Sequence, residues 1–246
     1  MKAISPVHLL DEDPTLLRAL SEPERPAARQ ALVANAYRVP RGAWRPLATF
    51  PGQATHFGLL ILEGLLMRDV VVAHTTCGEL VGPGELLRPW DSFGDRAPMP
   101  FEVEWKVIEP TFVAALSPDF TRVVARWPEL VNVFLERAVE RSHSLALHVA
   151  IHCIRRVDLS LLVLFWHLAD RFGKVTPEGI VVSVKLTHQD LGKLVGATRQ
   201  SVTAALGEVV QRGWVERRDD GAWLLPADPP REIQGMLGRR RGRDEN

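Results

Sequence analysis

The chain has 246 residues, of which 46% are hydrophobic and 24% charged, and its 30 basic side chains balance 30 acidic ones. This is the composition of an ordinary globular protein, and the length fits two domains better than one. The neutral balance argues against a protein that coats nucleic acid indiscriminately.

The two cysteines, Cys77 and Cys153, are too few for a disulfide framework or a four-thiolate iron–sulfur cluster within one chain. The N-terminus lacks a signal-like apolar core, and no apolar run approaches the roughly 20 residues that span a bilayer. We therefore expect a cytoplasmic protein that has no membrane partner.

Residues 1–126 predict a β-rich domain with flanking helices, which are expected over 14–20 and 25–35. Turn residues such as Gly64 and Gly82-Pro83-Gly84 separate short apolar or β-branched runs. Many short strands with glycine corners are typical of a jelly roll or barrel. The predicted strands are 57–62, 65–73, 101–108 and 111–116.

Residues 127–154 predict one long helix in which apolar residues recur near heptad spacing. Such a helix packs either on its own barrel or between two subunits. We favour a dimer, because proteins that bind palindromic DNA usually do so as symmetric dimers. The candidate dimer residues are Trp127, Val131, Phe134, Ala138, Arg141, Leu145 and Val149, with Arg141 interrupting the apolar seam.

Residues 155–230 predict a second domain, and residues 231–246 predict a basic flexible tail. The domain opens with a helix for which Asp158 is the expected N-cap, and a β-branched strand follows at 180–184. The dipeptide Asp220-Gly221 predicts a hairpin with a tight primed turn. Residues 185–218 carry six Lys or Arg against three Asp or Glu, so the chain is locally basic here.

Residues 187–206 predict a helix-turn-helix. Thr187 is the expected N-cap of the first helix with Asp190 reaching back to it, and Gly196 ends that helix. Thr198 is the expected cap of a second helix. Two amphipathic helices around a glycine also occur in all-α cores, but the flanking strand and hairpin complete a winged helix and favour DNA binding.

The order of β-rich domain, long helix and winged helix resembles the cyclic-AMP receptor protein/fumarate-nitrate reductase regulator (Crp/Fnr) family. Residues 186–206 follow the family's pattern Leu-Thr-x-x-x-Leu-Ala/Gly-x-x-Val-Gly-x-Ser/Thr-Arg-x-Ser/Thr-Val almost position by position. The resemblance implies an α+β fold with a cyclic-nucleotide-binding-like jelly-roll barrel, a long dimerisation helix and a C-terminal winged helix-turn-helix. It also implies a homodimeric transcription regulator that binds near-palindromic double-stranded DNA, with RNA polymerase as a further partner.

Arg199 and Gln200 are the expected base contacts, since arginine can bind guanine and glutamine adenine through two hydrogen bonds. Where the family's cyclic-AMP receptor has a second base-contacting arginine, this chain has Ala204, which implies a different operator. The other expected contacts, to phosphates or base edges, are Thr187, His188, Gln189, Thr198, Ser201 and Thr203 of the helices and Arg217 and Arg218 of the wing.

The resemblance is weaker in the first domain. Cyclic-nucleotide binders of the family carry Gly-Glu-Leu followed by Arg-Ser-Ala, but here Gly84-Glu85-Leu86 has no such sequel, and Leu145 and Ala146 stand where hydroxyls would reach the adenine. We therefore expect no control by cyclic AMP, an unknown effector and no cofactor. The candidate effector-pocket residues are Glu85, Arg88, Trp90 and Asp91, although a surface loop braced by Pro89 explains them equally well.

We predict no metal site. His74 and Cys77, candidates for haem ligation, are three apart and point to opposite faces of a strand, while His148 and His152 share a helix face better explained by packing. No catalytic constellation is present, so an enzyme is not expected. The alternative function is a ligand-binding or protein-interaction module that has lost specific DNA binding. A cupin-like enzyme would need metal ligands that the sequence lacks.

Overall fold

The computed structural model describes residues 5–50, 57–90 and 101–234. The chain divides into two compact units, Met1–Ala146 and Leu147–Asn246. No helix among the described residues is long and apolar enough to cross a membrane.

The first unit is a seven-stranded antiparallel sheet with the order β1-β2-β7-β4-β5, in which β3 also pairs with β7 and β6 with β4. Its strands are β1 Ser5–His8, β2 Val33–Val39, β3 Gly42–Trp44, β4 Gly58–Val72, β5 Thr75–Val81, β6 Leu86–Leu87 and β7 Glu102–Leu116. Its helices are α1 Leu9–Glu12, α2 Pro14–Ala19, α3 Arg25–Ala31, α4 Pro46–Thr49, α5 Phe120–Val124 and α6 Pro128–His152, of which the last continues into the second unit.

Two long strands replace the four short ones expected from the sequence. β4 and β7 pair along most of their lengths, with register shifts around Gly64. Gly64 has a φ of +92°, and a Cβ there would lie 2.4 Å from the carbonyl oxygen of Pro110. The glycine therefore marks a bulge within one strand, because only a residue without a side chain permits this approach.

The predicted helix over 25–35 was too long, and α3 ends at Ala31. Val33–Val39 instead forms β2, whose alternating burial places Ala34, Ala36 and Val39 in the interior. Pairing with β1 and β7 satisfies both edges of this segment, so tertiary hydrogen bonding overrides local helix preference.

The second unit surrounds α7 with two shorter helices and a four-stranded antiparallel sheet of order β10-β11-β9-β8. Leu161, Phe165, Leu191, Val202 and Trp223 are among its buried residues. Its elements are α7 Val157–Phe172, β8 Gly173–Thr176, β9 Gly179–Val182, α8 His188–Val195, α9 Arg199–Gln211, β10 Glu216–Arg217 and β11 Trp223–Leu225.

Two local expectations were wrong here. Asp158 lies inside the first turn of α7, where its carboxylate accepts hydrogen bonds from Arg156, and Arg156 occupies the N-cap position. The hairpin turn is not a primed turn, since Gly221 has a positive φ but Asp220 does not. The Gly221 amide donates to the Arg218 carbonyl and the Arg218 amide to Ala222, which gives a three-residue loop ending in a left-handed glycine.

Candidate nucleic-acid interface

A capping box fixes the start of α8. The Thr187 hydroxyl oxygen accepts from the Asp190 amide at 3.1 Å, while the Asp190 carboxylate accepts from the Thr187 amide at 3.1 Å and its hydroxyl at 2.7 Å. The helix ends at Gly196, whose φ is +68°. A Cβ at Gly192 would lie 2.5 Å from the Ala197 carbonyl oxygen, so a side chain at this position would require the turn between α8 and α9 to shift.

Helix α9 has one buried face and one exposed face. Thr198 caps it by accepting from the Ser201 amide at 3.2 Å, and Val202, Ala205, Leu206 and Val209 are buried. We define the recognition surface as His188 of α8 with the outward residues Arg199, Gln200, Thr203, Ala204 and Gly207 of α9.

The predicted base contacts, Arg199 and Gln200, are exposed in the first turn of α9. Neither side chain has a hydrogen bond or an ion pair with other residues of the described part of the chain. Both are therefore available to a ligand. They extend from a helix whose backbone is held at its capped N-terminus, which limits the conformational freedom lost on binding.

The middle of the recognition surface is shallow. Ala204 and Gly207 are exposed, and a Cβ at Gly207 would meet nothing within 4 Å. A glycine inside a helix costs about 1 kcal/mol relative to alanine, and no packing contact explains it here. Sequence reasoning missed Gly207, although its unfavourable position in a predicted helix was a usable signal.

The predicted hydroxyl contacts are already engaged within the unit. The Thr187 hydroxyl donates to Asp190, the Thr203 hydroxyl donates to the Arg199 carbonyl oxygen at 2.9 Å, and those of Thr198 and Ser201 bond each other at 2.9 Å. Thr203 also lies 2.8 Å from Nδ1 of His188. These hydroxyls therefore hold neighbouring residues of the recognition surface in place before any ligand binds. The side chain of Gln189 is exposed.

The wing places its two arginines among carboxylates. Arg218 pairs with Glu178 at 2.7 Å, which raises the pKa of the guanidinium, and Arg217 lies over the Trp223 ring at 4.4 Å. The same cleft is lined by Glu178, Glu216, Asp219 and Asp220, so four carboxylates face two guanidiniums. The wing is locally acidic, which weakens its attraction for phosphate.

The effector-pocket candidates that the structure describes contact other residues of the first unit. Glu85 accepts from the Gly82 amide at 2.6 Å, Arg88 donates to the Phe57 carbonyl oxygen at 3.0 Å, and Trp90 packs on the core of the roll. Asp91 lies outside the described residues.

An ion-pair network that the sequence did not suggest links α6 to the roll. Arg141, expected in the dimer seam, pairs with Glu79 at 2.9 Å and donates to the Leu86 carbonyl oxygen at 3.3 Å. Arg68 pairs with the same Glu79 at 2.9 Å. One turn earlier on α6, Arg137 pairs with Asp13 at 2.7 Å.

The dimer candidates within residues 127–149 fall into two groups. Trp127 is buried, Phe134 packs on Phe57 and Phe120, and Arg141 reaches the roll, so these three contact their own unit. The others, Val131, Ala138, Leu145 and Val149, are exposed, as is Leu135 at 61%.

Three histidines meet in the second unit. The rings of His148 and His152 are 5.8 Å apart, and those of His148 and His167 are 6.2 Å apart. Burial lowers the pKa of His148 to about 4, with His152 and His167 acting in the same direction. The backbone of Leu194, near the end of α8, acts in the opposite direction and raises the pKa of both His148 and His152. No group of three residues in the described ranges is arranged to hold a metal ion.

A three-helix core with a glycine turn, a capped recognition helix and a β-hairpin defines a winged helix-turn-helix. Residues 160–228 match the Crp-like helix-turn-helix domain family and are such a domain. The resemblance to Crp/Fnr regulators and the predicted α+β fold class are confirmed.

Relatives with assigned names match parts of this chain. The CRP-like cAMP-activated global transcriptional regulator of Mycobacterium tuberculosis is 29% identical over 154 residues, 59% of this chain and 66% of that protein. The global nitrogen regulator of Synechococcus elongatus is 32% identical over 82 residues, 33% of this chain and 37% of that protein. The chain thus spans less than two thirds of the length of either relative.

Among solved structures, a CooA mutant from Carboxydothermus hydrogenoformans is similar with a TM-score of 0.63 at 14% identity. The match covers 96% of this chain and 95% of the other. At this identity the likeness concerns the fold, and it extends over nearly the whole chain.

Proposed function

We propose that this chain is a transcription regulator that binds a specific, near-palindromic DNA sequence as a homodimer. The observation that carries the proposal is the pair of exposed side chains, Arg199 and Gln200, on the first turn of a helix whose cap and preceding turn are fixed. Its activity is binding, and we propose no catalysis. RNA polymerase is the further partner expected of such a regulator.

The size and chemistry of α9 suit the major groove. Its 13 residues span about 20 Å, and the groove of B-DNA, about 12 Å wide, admits an α-helix. Arg199 can bind a guanine and Gln200 an adenine, each through two hydrogen bonds. Ala204 offers only a methyl group one turn later, so the base there is selected by apolar contact if at all.

Exposed apolar side chains on α6 support the homodimer. Val131, Leu135, Ala138 and Leu145 lie at intervals of four, three and seven residues, as in a heptad repeat. Val131 is 42% and Leu135 61% exposed in the single chain. A second copy of the helix would cover them, and twofold symmetry would present two copies of α9 to the two halves of a palindrome.

We further propose that cyclic AMP does not control DNA binding, although the mycobacterial relative is named as cAMP-activated. The first unit's Arg68, Arg137 and Arg141 each have a carboxylate partner already. A cyclic phosphate would have to compete with those carboxylates for the guanidiniums. Leu145 and Ala146 lack the hydroxyls that the family's cyclic-AMP receptor offers to adenine.

Selection of duplexes from a random pool by the purified full chain tests the proposal. We expect a near-palindrome with guanine and adenine in each half-site, and a dimer by analytical ultracentrifugation. Recovery of no preferred sequence would contradict it. Affinity for the selected duplex should be equal with and without added cyclic AMP, and a large rise with the nucleotide would refute the cyclic-AMP part alone.

One observation favours a second function, a protein- or ligand-binding module without DNA specificity. The four carboxylates of the wing oppose the approach of a phosphate backbone. Gel retardation over a series of salt concentrations separates the two functions. DNA binding that weakens steeply with salt supports the regulator, and absence of retardation at low salt supports the module.

A further inference from the structure

The start of α6 and its middle are attached to the roll by different kinds of contact. Leu130 and Val133 are buried in an apolar cluster of the first unit, and Phe134 packs against that cluster. Over residues 135–146, all of which the structure describes, the side chains are exposed except for Arg137, Arg141 and Ser144, which are partly buried. Attachment of the middle of α6 to the roll therefore depends mainly on two guanidiniums.

Arg141 contacts two segments of the roll at once. Its guanidinium pairs with both carboxylate oxygens of Glu79 on β5, at 2.9 and 3.1 Å, and donates to the carbonyl oxygen of Leu86 on β6 at 3.3 Å. The side chains of Arg141 and Glu79 are 18% and 10% exposed. Because both are largely removed from water, loss of this pair costs more than loss of a surface ion pair.

Arg137 makes a second attachment one turn earlier. Its guanidinium contacts both carboxylate oxygens of Asp13, at 2.7 and 2.9 Å. It also lies against the turn at Gly84, where a Cβ would be 3.5 Å from the guanidinium carbon. Residues four apart lie on the same face of a helix, so Arg137 and Arg141 fix one face of α6 at two points.

The apolar stripe that we propose for the homodimer lies on another face of α6. With 3.6 residues per turn, Val131, Leu135 and Ala138 are centred roughly 100° around the helix from Arg137 and Arg141. One face can therefore contact the roll while the other contacts a second copy. The two arginines then determine the direction in which the apolar stripe points from the roll.

We infer that Arg137 and Arg141 are positioning residues of the homodimer: by pairing with Asp13 and Glu79, they hold the middle of α6 on the roll with its apolar stripe directed toward a second copy. This inference rests on the proposed homodimer and adds residues that act on it from within one subunit. Arg141 acts on the dimer through Glu79, and not as a member of the apolar seam.

Arg141→Met tests the inference with little risk to the fold of the roll. Methionine retains an unbranched apolar side chain, and Glu79 keeps its ion pair with Arg68 at 2.9 Å, so no buried carboxylate is left unpaired. We expect the dimer dissociation constant of the full chain to rise at least about tenfold by sedimentation equilibrium. The circular dichroism spectrum should stay that of the wild type. Arg137→Met should weaken the dimer in the same direction.

Rescue and coupling separate positioning from a general structural role. Arg141→Lys can still pair with Glu79, although it lacks the planar fork of arginine, so it should recover most of the lost affinity. In a Glu79→Gln background, Arg141→Met should weaken the dimer by a smaller factor than it does alone, because the charge it pairs with is already removed.

Arg122→Met is the matched control in the same unit. Arg122 pairs with Asp119 at 3.1 Å, but the two side chains are 84% and 68% exposed. An ion pair in that setting contributes little, so this substitution should leave the dimer dissociation constant unchanged. Hydrogen exchange should become faster over residues 135–146 in Arg141→Met and stay unchanged over residues 128–134, which the apolar cluster holds.

The results that overturn the inference differ from failure of the proposed function. A dimer with the same dissociation constant in the wild type and Arg141→Met, or in the wild type and Arg137→Met, overturns the role of that arginine. A loss in Arg141→Met that is equally large in the Glu79→Gln background also overturns it, since Arg141 would then act without Glu79. If the wild type stays monomeric at every concentration, the proposed homodimer itself is wrong.

Discussion

The recognition surface and the wing both present arginine to solvent, but they use it differently. Arg199 extends from a capped helix with no partner among the described residues, while Arg218 is paired with Glu178 and Arg217 lies over Trp223. The sequence suggests DNA contact equally for all three. A surface cation is available to a ligand only to the extent that the residues around it leave it without an ion-pair or aromatic partner.

The largest effect is expected from a substitution in the turn that supports the recognition surface. Gly192→Ala would place a methyl group 2.5 Å from the Ala197 carbonyl oxygen. We expect a loss of about 2 kcal/mol in the free energy of unfolding, within the range for overpacking, because the turn must shift to admit the methyl group. Urea unfolding measures it. Gly207→Ala is the matched control and should stabilise by up to about 1 kcal/mol, so equal effects would contradict this account.

Substitution of Arg199 tests the recognition surface directly. Arg199→Ala should cost about 2 kcal/mol of binding free energy on the preferred operator and relax the preference at one base pair. Competition binding on operators substituted at each position measures both. A loss spread evenly over all sequences would show that Arg199 contacts phosphate and not a base.

Acid should lower the stability of the second unit, because His148 is buried there beside the end of α8. Because the folded-state pKa of His148 is lowered to about 4 from 6.5, the unfolded chain binds the proton first as pH falls below 6.5. We expect about 2 kcal/mol of stability to be lost by about pH 5, with none lost above about pH 7.5.

Urea unfolding at those two pH values measures the change. His148→Leu should remove most of this pH dependence, whereas His143→Gln, at an exposed position, should retain it. An unchanged stability of the wild type between the two pH values would refute the role assigned to burial of His148.

Substitutions in the wing should have the smallest effects. Arg217→Ala should weaken binding to all sequences by less than about 1 kcal/mol and lower the salt slope by at most about 1. Arg218→Ala should do less, because the charge of Arg218 is already offset by Glu178. Binding isotherms at several salt concentrations check both. An effect of either variant as large as that of Arg199→Ala would remove the distinction between the two regions.

Features set by neighbours in the chain could be predicted from the sequence. The capping box of Thr187 and Asp190, the end of α8 at Gly196 and the cap at Thr198 all depend on residues within about four positions, and each was found where expected. The family pattern of residues 186–206 also predicted the winged helix around these caps, and residues 160–228 match that domain.

Features set by distant partners could not be predicted in this way. Arg141 is 62 residues from Glu79 and Arg218 is 40 residues from Glu178, and neither partner is marked by spacing or composition. The continuous strands β4 and β7 likewise depend on their mutual pairing, which tolerates Gly64 as a bulge where the local pattern suggested a corner.

The shallow centre of α9 also bears on how operator preference can change. Ala204 and Gly207 point to solvent, and nothing within 4 Å would obstruct a side chain at Gly207. An alanine there would need no repacking and would replace an unfavourable helix residue with a favourable one. Under the proposed DNA-binding function, a side chain added at Gly207 can therefore extend the recognition surface without loss of fold stability, whereas the side chains beneath it are fixed by the core.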